Sequence, residues 1–324
     1  MSAVVTGASA LLGAYLGVAL MLIASQRPRA KTADAALDFD ALQGAGPQGA
    51  LRQALARDGM PLSYRRFEGA GPAAPLLILV HGSGWHGGAY CDLAETIAAS
   101  GVAEVIVPDL RGHGPSPLRR GDVDHVGQLE EDLCDLIHAL GGPARKVWML
   151  GHSSGGGLVV RFAGGPFGGM LSKAVLMAPF LQCDAPTTRR GQDGWARPLA
   201  RRIIGISMLD KVGITALHGL QAISFAFPRR VLDGPGGGAA TAAYSYRLNA
   251  SFSPRRDYLA DIAALPEFCV IVGGGDAVFV PEAYAPLMAP ANPRGTYRVL
   301  PGLGHLGIIR APQAAAAAIA FLQR

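Results

Sequence analysis

The chain has 324 residues, of which 50% are hydrophobic and 16% charged, a composition that supports one large buried core and excludes a chain too polar to fold on its own. Its net charge is +5, but Pro186 to Asp257 alone hold eleven Arg or Lys against four Asp. The basicity is therefore local to one segment, and no nucleic-acid partner is expected.

In chain order, the first feature is the uncharged run AVVTGASALLGAYLGVALMLIA, Ala3 to Ala24. As a helix rising ~1.5 Å per residue it reaches about 33 Å, enough for a bilayer core. No basic residue precedes it, and Arg27, Arg29 and Lys31 follow it. That asymmetry predicts an uncleaved single-pass membrane anchor over residues 1–26, with the rest of the chain on the cytoplasmic side. Residues 27–60, rich in Ala, Gly and Pro, are expected to be a juxtamembrane linker with one short helical pattern at Ala50 to Arg57.

From residue 61 to 324, short apolar runs alternate with helical patterns. LLILV (76–80), VIV (105–107), VWML (147–150), AVLM (174–177), FCVIV (268–272) and YRVL (297–300) are the expected strands. Helices are expected at Ala89–Ala99, Val123–Leu140, Gly155–Phe162, Pro281–Met288 and Pro312–Leu322. Continuous apolar strands between helices predict an α/β domain whose mostly parallel sheet is covered on both faces. An insertion at about 180–257, with WARPLARRIIGISML and LQAISFAF as its apolar stretches, is expected to be a helical lid.

The chemistry is carried by Gly151-His152-Ser153-Ser154-Gly155. This G-x-S-x-G follows a strand and opens a helix, the context of a nucleophile elbow, in which a serine stands on a strained turn that only small neighbours permit. A serine hydroxyl needs a base within hydrogen-bond reach, and His305, in a glycine-flanked loop after the last strand, is the histidine placed to supply it. His152 is excluded as base because, next to Ser153 on the elbow, its side chain points away. Asp276, at the exit of FCVIV, is the carboxylate expected to orient the imidazole; Glu282, in the first turn of a helix, is the rival. Charge developing on a substrate oxygen calls for N–H donors, assigned to Ser154 and to Ser83 in HGSGWHGG. Gly82, Gly84 and Gly87 also spell G-x-G-x-x-G, but the independent order of elbow, acid and base favours an oxyanion loop over a dinucleotide site. The sequence has no phosphate-loop motif, no zinc-spaced cysteine pair and no H-E-x-x-H, so neither metal nor cofactor is expected.

LLILVHGSG, PDLRGHGPS, GHSSGGG, GGGD and GLGH, in that order, resemble the α/β-hydrolase family, especially its lysophospholipase and monoacylglycerol lipase-like branch, over about residues 62–324. The resemblance implies the α/β-hydrolase fold, with Ser153 as nucleophile, Asp276 as acid, His305 as base and Ser83 and Ser154 as oxyanion donors. It makes Asp109 and His113 structural. Ser154 departs from the Met frequent in that branch, and the basic insertion follows no pattern of it. The expected activity is hydrolysis of acyl esters, lipid-like ones first, with arginines such as Arg189, Arg190, Arg197, Arg201 and Arg202 facing anionic headgroups. Thioesterase, amidase, peptidase or acyltransferase chemistry could use the same three residues. A membrane-tethered binding protein would require a broken set, and none is broken. The four cysteines lack paired spacing, which predicts thiols and a reducing compartment.

Overall fold

A computed structural model describes residues 2–28, 37–39, 49–69, 71, 73–189, 195–234 and 236–324, with only the backbone given for 2–8 and 143. Arg29, Lys31 and Arg190, and much of the expected linker, lie outside the described residues.

The main sheet takes β1 (Arg52–Leu55), β2 (Pro61–Phe67), β3 (Leu76–Val80), β4 (Glu104–Pro108), β5 (Val147–His152) and β6 (Leu171–Met177) before the insertion. The insertion adds β7 (Ala196–Pro198), β8 (Gln221–Phe225) and β9 (Ala243–Ser245), after which β10 (Glu267–Gly273) and β11 (Gly295–Leu300) complete the sheet. Its order is β1-β2-β4-β3-β5-β6-β10-β11. β2 runs antiparallel to both neighbours and every other pairing from β4 to β11 is parallel. β3 and β4 are buried at every position, as strands covered on both faces must be.

The helices are α1 (Ser2–Ala24), α2 (Cys91–Ala99), α3 (Gln128–Ala139), α4 (Ser154–Ala163), α5 (Ala200–Asp210), α6 (Arg229–Leu232), α7 (Tyr246–Phe252), α8 (Tyr258–Ala263), α9 (Tyr284–Met288) and α10 (Pro312–Leu322). Each expected strand and helix of the sheet layer is present, with ends shifted by a few residues. The helical pattern at 50–57 is instead strand β1. Asp58-Gly59, with Gly59 at φ +80°, turns the chain, and Ala56 and Met60 close a hairpin with β2 by a 2.9 Å backbone bond. The sheet therefore starts ahead of residue 61.

The insertion is not the all-helical unit expected. β7, β8 and β9 form a three-stranded antiparallel sheet beside α5. Pro198 disfavours helix at the residue before it, so the helix in WARPLARRIIGISML begins only at Ala200. LQAISFAF pairs on both sides as β8.

Among the described residues no helix is long and apolar enough to cross a membrane, which corrects the expected transmembrane span. Residues 2–24 do form one helix, but its second half is used against the insertion. Ala19 and Ile23 are buried with Ile206 and Leu209, and Gly205 admits the Ala19 carbonyl so closely that a Cβ there would stand 2.5 Å from it. Tyr15 donates to the Met208 carbonyl at 2.9 Å. Gln26 Oε1 accepts the Arg201 amide at the start of α5, and the Arg202 guanidinium donates to the Gln26 carbonyl at 2.7 Å. The stretch of α1 ahead of this contact, residues 2–14, is about 20 Å of helix. Cys91, Cys134 and Cys269 are buried and Cys183 is exposed.

Candidate active site

Ser153 stands between β5 and α4 at φ 55° and ψ −123°, one of two non-glycine residues with positive φ among those described. The cost of that conformation is sustained by close packing around the turn. A Cβ at Gly151 would lie 2.3 Å from the Gly155 carbonyl, and one at Gly155 would lie 2.3 Å from that of Val80. Both glycines are needed for the reason the sequence implied.

His305 follows β11 and Asp276 follows β10, and the parallel register of these strands delivers both loops to the edge that carries Ser153. His305 Nε2 lies 3.1 Å from Ser153 Oγ and Nδ1 lies 2.8 Å from Asp276 Oδ2. The other carboxylate oxygen, Oδ1, accepts the amides of Val278 and Phe279 at 2.7 and 2.9 Å. Burial pushes the Asp276 carboxyl up. The hydrogen bond and charge of His305 and the two amides outweigh it and hold the group below the ordinary carboxylate range. Glu282 is exposed in the turn before α9 and takes no part in this cluster.

Ser83 leaves β3 and Ser154 opens α4, where a first-turn amide has no partner within the helix. Their hydroxyls are 2.5 Å apart, and Gly82 lies so close to the elbow that a Cβ on it would be 3.3 Å from Ser153 Cβ. Both predicted donors thus flank the serine. The glycine amides of the same loop are already engaged: Gly82 donates to Tyr90 Oη at 3.0 Å, Gly84 to Tyr244 Oη at 2.5 Å and Gly87 to Asp109 Oδ1 at 2.8 Å. They are not presented to a phosphate, which argues against the dinucleotide alternative.

Two side-chain relays escaped sequence reasoning. His152 Nε2–H donates to the His305 carbonyl at 2.9 Å, so its Nδ1 accepts from Tyr90 Oη at 3.0 Å, and Tyr90 in turn accepts the Gly82 amide. This joins the base loop to the oxyanion loop beneath the nucleophile. On the other side, His113 Nδ1–H donates to the Arg111 carbonyl at 3.1 Å and Nε2 accepts from Tyr244 Oη at 2.7 Å, tying β9 of the insertion to Gly84. The only sequence signal for either was a histidine next to a glycine, and their partners lie 62 and 131 residues away.

Burial keeps these imidazoles neutral. It lowers His81 and takes His113 well below the ordinary value, and it drives His152 down to about 3, with the charge of His305 adding to the effect. The folded protein therefore binds fewer protons than the unfolded chain, so stability is full above about pH 6.5 and declines as pH falls below it. For His152, held neutral down to about 3, the loss is on the order of 2 kcal/mol at about pH 5, and His81 and His113 add to it in the same direction. Urea midpoints measured between about pH 7.5 and about pH 5 should fall steeply, and a flat profile would show that these histidines are charged in the folded state.

Over Ser153 lies a small cleft of about 30 Å³, lined on its polar side by Ser83, His152 and His305 and elsewhere by apolar side chains, including Trp195 and Phe227 of the insertion. Among the described residues no group of three or more His, Cys, Asp or Glu could hold a metal ion.

A mostly parallel sheet with a serine on a strained strand-to-helix turn, joined by hydrogen bonds to a histidine and an aspartate from later strands, defines a hydrolase class. The family model described as the alpha/beta hydrolase family matches residues 77–318, and the chain belongs to that family. It is 28% identical over 269 residues to an uncharacterized protein of Mycobacterium tuberculosis, covering 75% of this chain and 73% of that one. A monoacylglycerol lipase of Mycolicibacterium smegmatis is 35% identical over 106 residues, 32% of this chain and 37% of the relative. Among solved structures, the monoacylglycerol lipase of Paleococcus ferrophilus superposes with a TM-score of 0.58 at 22% identity, over 81% of this chain and 98% of that one.

Proposed function

We propose that the protein is a serine carboxylic-ester hydrolase acting on acyl esters, with Ser153 as nucleophile, His305 as base and Asp276 as its orienting acid. The observation that carries this is the unbroken hydrogen-bonded line from Ser153 Oγ through His305 to Asp276, set beneath an apolar cleft. Ser153 Oγ adds to the ester carbonyl carbon as its proton passes to His305 Nε2. The oxyanion is met by the amides of Ser83 and Ser154. Collapse expels the alcohol, which takes the proton from His305, and leaves the acyl group on Ser153. Water, deprotonated by His305, then attacks the acyl carbon and releases the acid and the serine. Initial rates on p-nitrophenyl esters of increasing chain length test the proposal, and no turnover of any of them would remove it.

We further propose that the enzyme works against a lipid surface, through α1. Leu11, Leu12, Leu20 and Met21 of α1 are each more than half exposed, as is Ile204 of α5 at 53%. The arginines of the insertion support this less. Arg189 donates to the Asp276 carbonyl, and Arg201 and Arg202 donate to the Ser25 and Gln26 carbonyls just after α1. Full-length protein should co-sediment with neutral phospholipid vesicles with little salt dependence, and Leu11→Gln with Leu12→Gln should weaken it. Binding confined to anionic vesicles and abolished by salt would return the role to the basic residues.

A further inference from the structure

The cleft over Ser153 is closed in part by a stretch that belongs neither to the main sheet nor to the insertion. Leu37 and Phe39 lie in the connection between α1 and β1, and both line the same cleft as Ser153 and His305. They are 5% and 2% exposed, whereas Asp38 between them is at the surface. The Phe39 amide donates to the Leu37 carbonyl at 3.0 Å, a three-residue reversal that turns both apolar side chains to one side.

The layering gives these residues a position relative to the serine. Gly82 packs on Ser153, and Gly84, two residues on, lies under Phe227 and Trp195, so that a Cβ there would be 2.9 Å from the first and 3.2 Å from the second. The Phe39 ring is 5.1 Å from that of Trp195 and 5.4 Å from that of Phe227, both tilted contacts of the kind aromatic rings favour. Phe39 is thus one aromatic layer beyond the oxyanion loop, at the apolar end of a cleft whose other end holds Ser83, His152 and His305. An acyl chain on Ser153 must run from the polar end to the apolar one. The cleft holds only about 30 Å³, room for about one water and well below the roughly 300 Å³ of the smallest ligand pockets, so an acyl chain gains length only where a wall side chain moves or is removed.

We propose that Leu37 and Phe39 form the end wall of the acyl site and set the length of chain it accepts, so that the preferred substrates are esters of short to medium acids. This rests on the ester-hydrolase proposal above, which it deepens by naming the acyl class. Phe39 is held by ring contacts and one local turn, so its truncation opens space beyond Trp195 and Phe227 without breaking the sheet or the hydrogen-bonded site.

The test uses the full chain with Phe39→Ala, Phe39→Leu and Phe39→Trp, and two readouts. The first is kcat/KM on p-nitrophenyl butyrate, octanoate and palmitate. Phe39→Ala should raise the palmitate-to-butyrate ratio at least about tenfold, Phe39→Leu less, and Phe39→Trp should lower it. The second is the Kd of palmitate measured calorimetrically, which should fall about tenfold in Phe39→Ala. A ratio unchanged in all three variants, including one kept by an equal loss of kcat/KM on every ester, overturns the proposal while leaving ester hydrolysis standing. If the parent protein hydrolyses no ester, the ester-hydrolase proposal fails and palmitate binding alone decides: tighter binding in Phe39→Ala supports the end wall, and an unaltered Kd overturns it. Phe39→Leu keeps the question open to measurement should the alanine variant fold poorly.

Discussion

Ser153→Ala should fold as the parent does and lose ester hydrolysis by about 10⁶ in kcat. Folding is preserved because alanine meets the same φ of 55° as serine, and the glycines at 151 and 155 that make the turn possible are untouched. Activity is lost because the hydroxyl is the atom that forms the acyl bond. Without it the oxyanion amides and the cleft can only hold an ester for direct attack by water, a residual effect of about 10³ to 10⁴ over solution. Steady-state rates on a water-soluble ester, with circular dichroism of both proteins, check this. Turnover near that of the parent in a folded variant would mean that another group attacks.

The second large effect is expected at Asp276. Asp276→Asn should lower kcat by about 10⁴, whereas Glu282→Gln should leave it nearly unchanged. The carboxylate accepts three hydrogens, from His305 Nδ1 on Oδ2 and from the Val278 and Phe279 amides on Oδ1. An asparagine cannot accept on both sides. With its oxygen toward His305, its NH₂ faces two N–H donors; turned round, it satisfies them and presents N–H to Nδ1. That second arrangement places the imidazole proton on Nε2, where it can no longer accept the proton of Ser153. Glu282 is exposed and contacts none of the three groups. Equal losses in both variants, or a larger one at Glu282, would assign the orienting role elsewhere.

The strands of the sheet were legible because LLILV, VWML and FCVIV are buried on both faces and so read as unbroken apolar runs. The positions of Ser153 and Asp276 were legible because they follow VWML and FCVIV, and that of His305 because it stands in a glycine-flanked loop after the last expected strand, YRVL. β1 was missed because Arg-Gln-Ala-Leu satisfies a helical pattern as readily as an edge strand, and the informative signal was the Asp58-Gly59 turn after it. In the insertion, β8 is a strand only because β7 and β9 lie on either side, a pairing no local window contains. The length of the uncharged Ala3 to Ala24 run and the basic residues after it point to a membrane anchor, and neither signal reports a docking partner within the chain. Gly205 of α5, which lets half of that helix dock on the insertion, carries no mark in its own sequence. Phe39 and Tyr244 reach the site from connecting or inserted chain, 114 residues before Ser153 and 91 after it, and only the fold brings them there.

The central claim is that Ser153 becomes covalently acylated, and an alkyl fluorophosphonate tests it most directly. The reagent transfers its phosphonyl group to an activated serine and then cannot be released by water. Incubation of the full-length protein should add one phosphonyl mass per chain, abolish ester hydrolysis in proportion, and place the adduct on the peptide that contains Ser153. Ser153→Ala should take up none. An unmodified protein that still hydrolyses esters, or an adduct on another residue that accompanies the loss of activity, would contradict the mechanism.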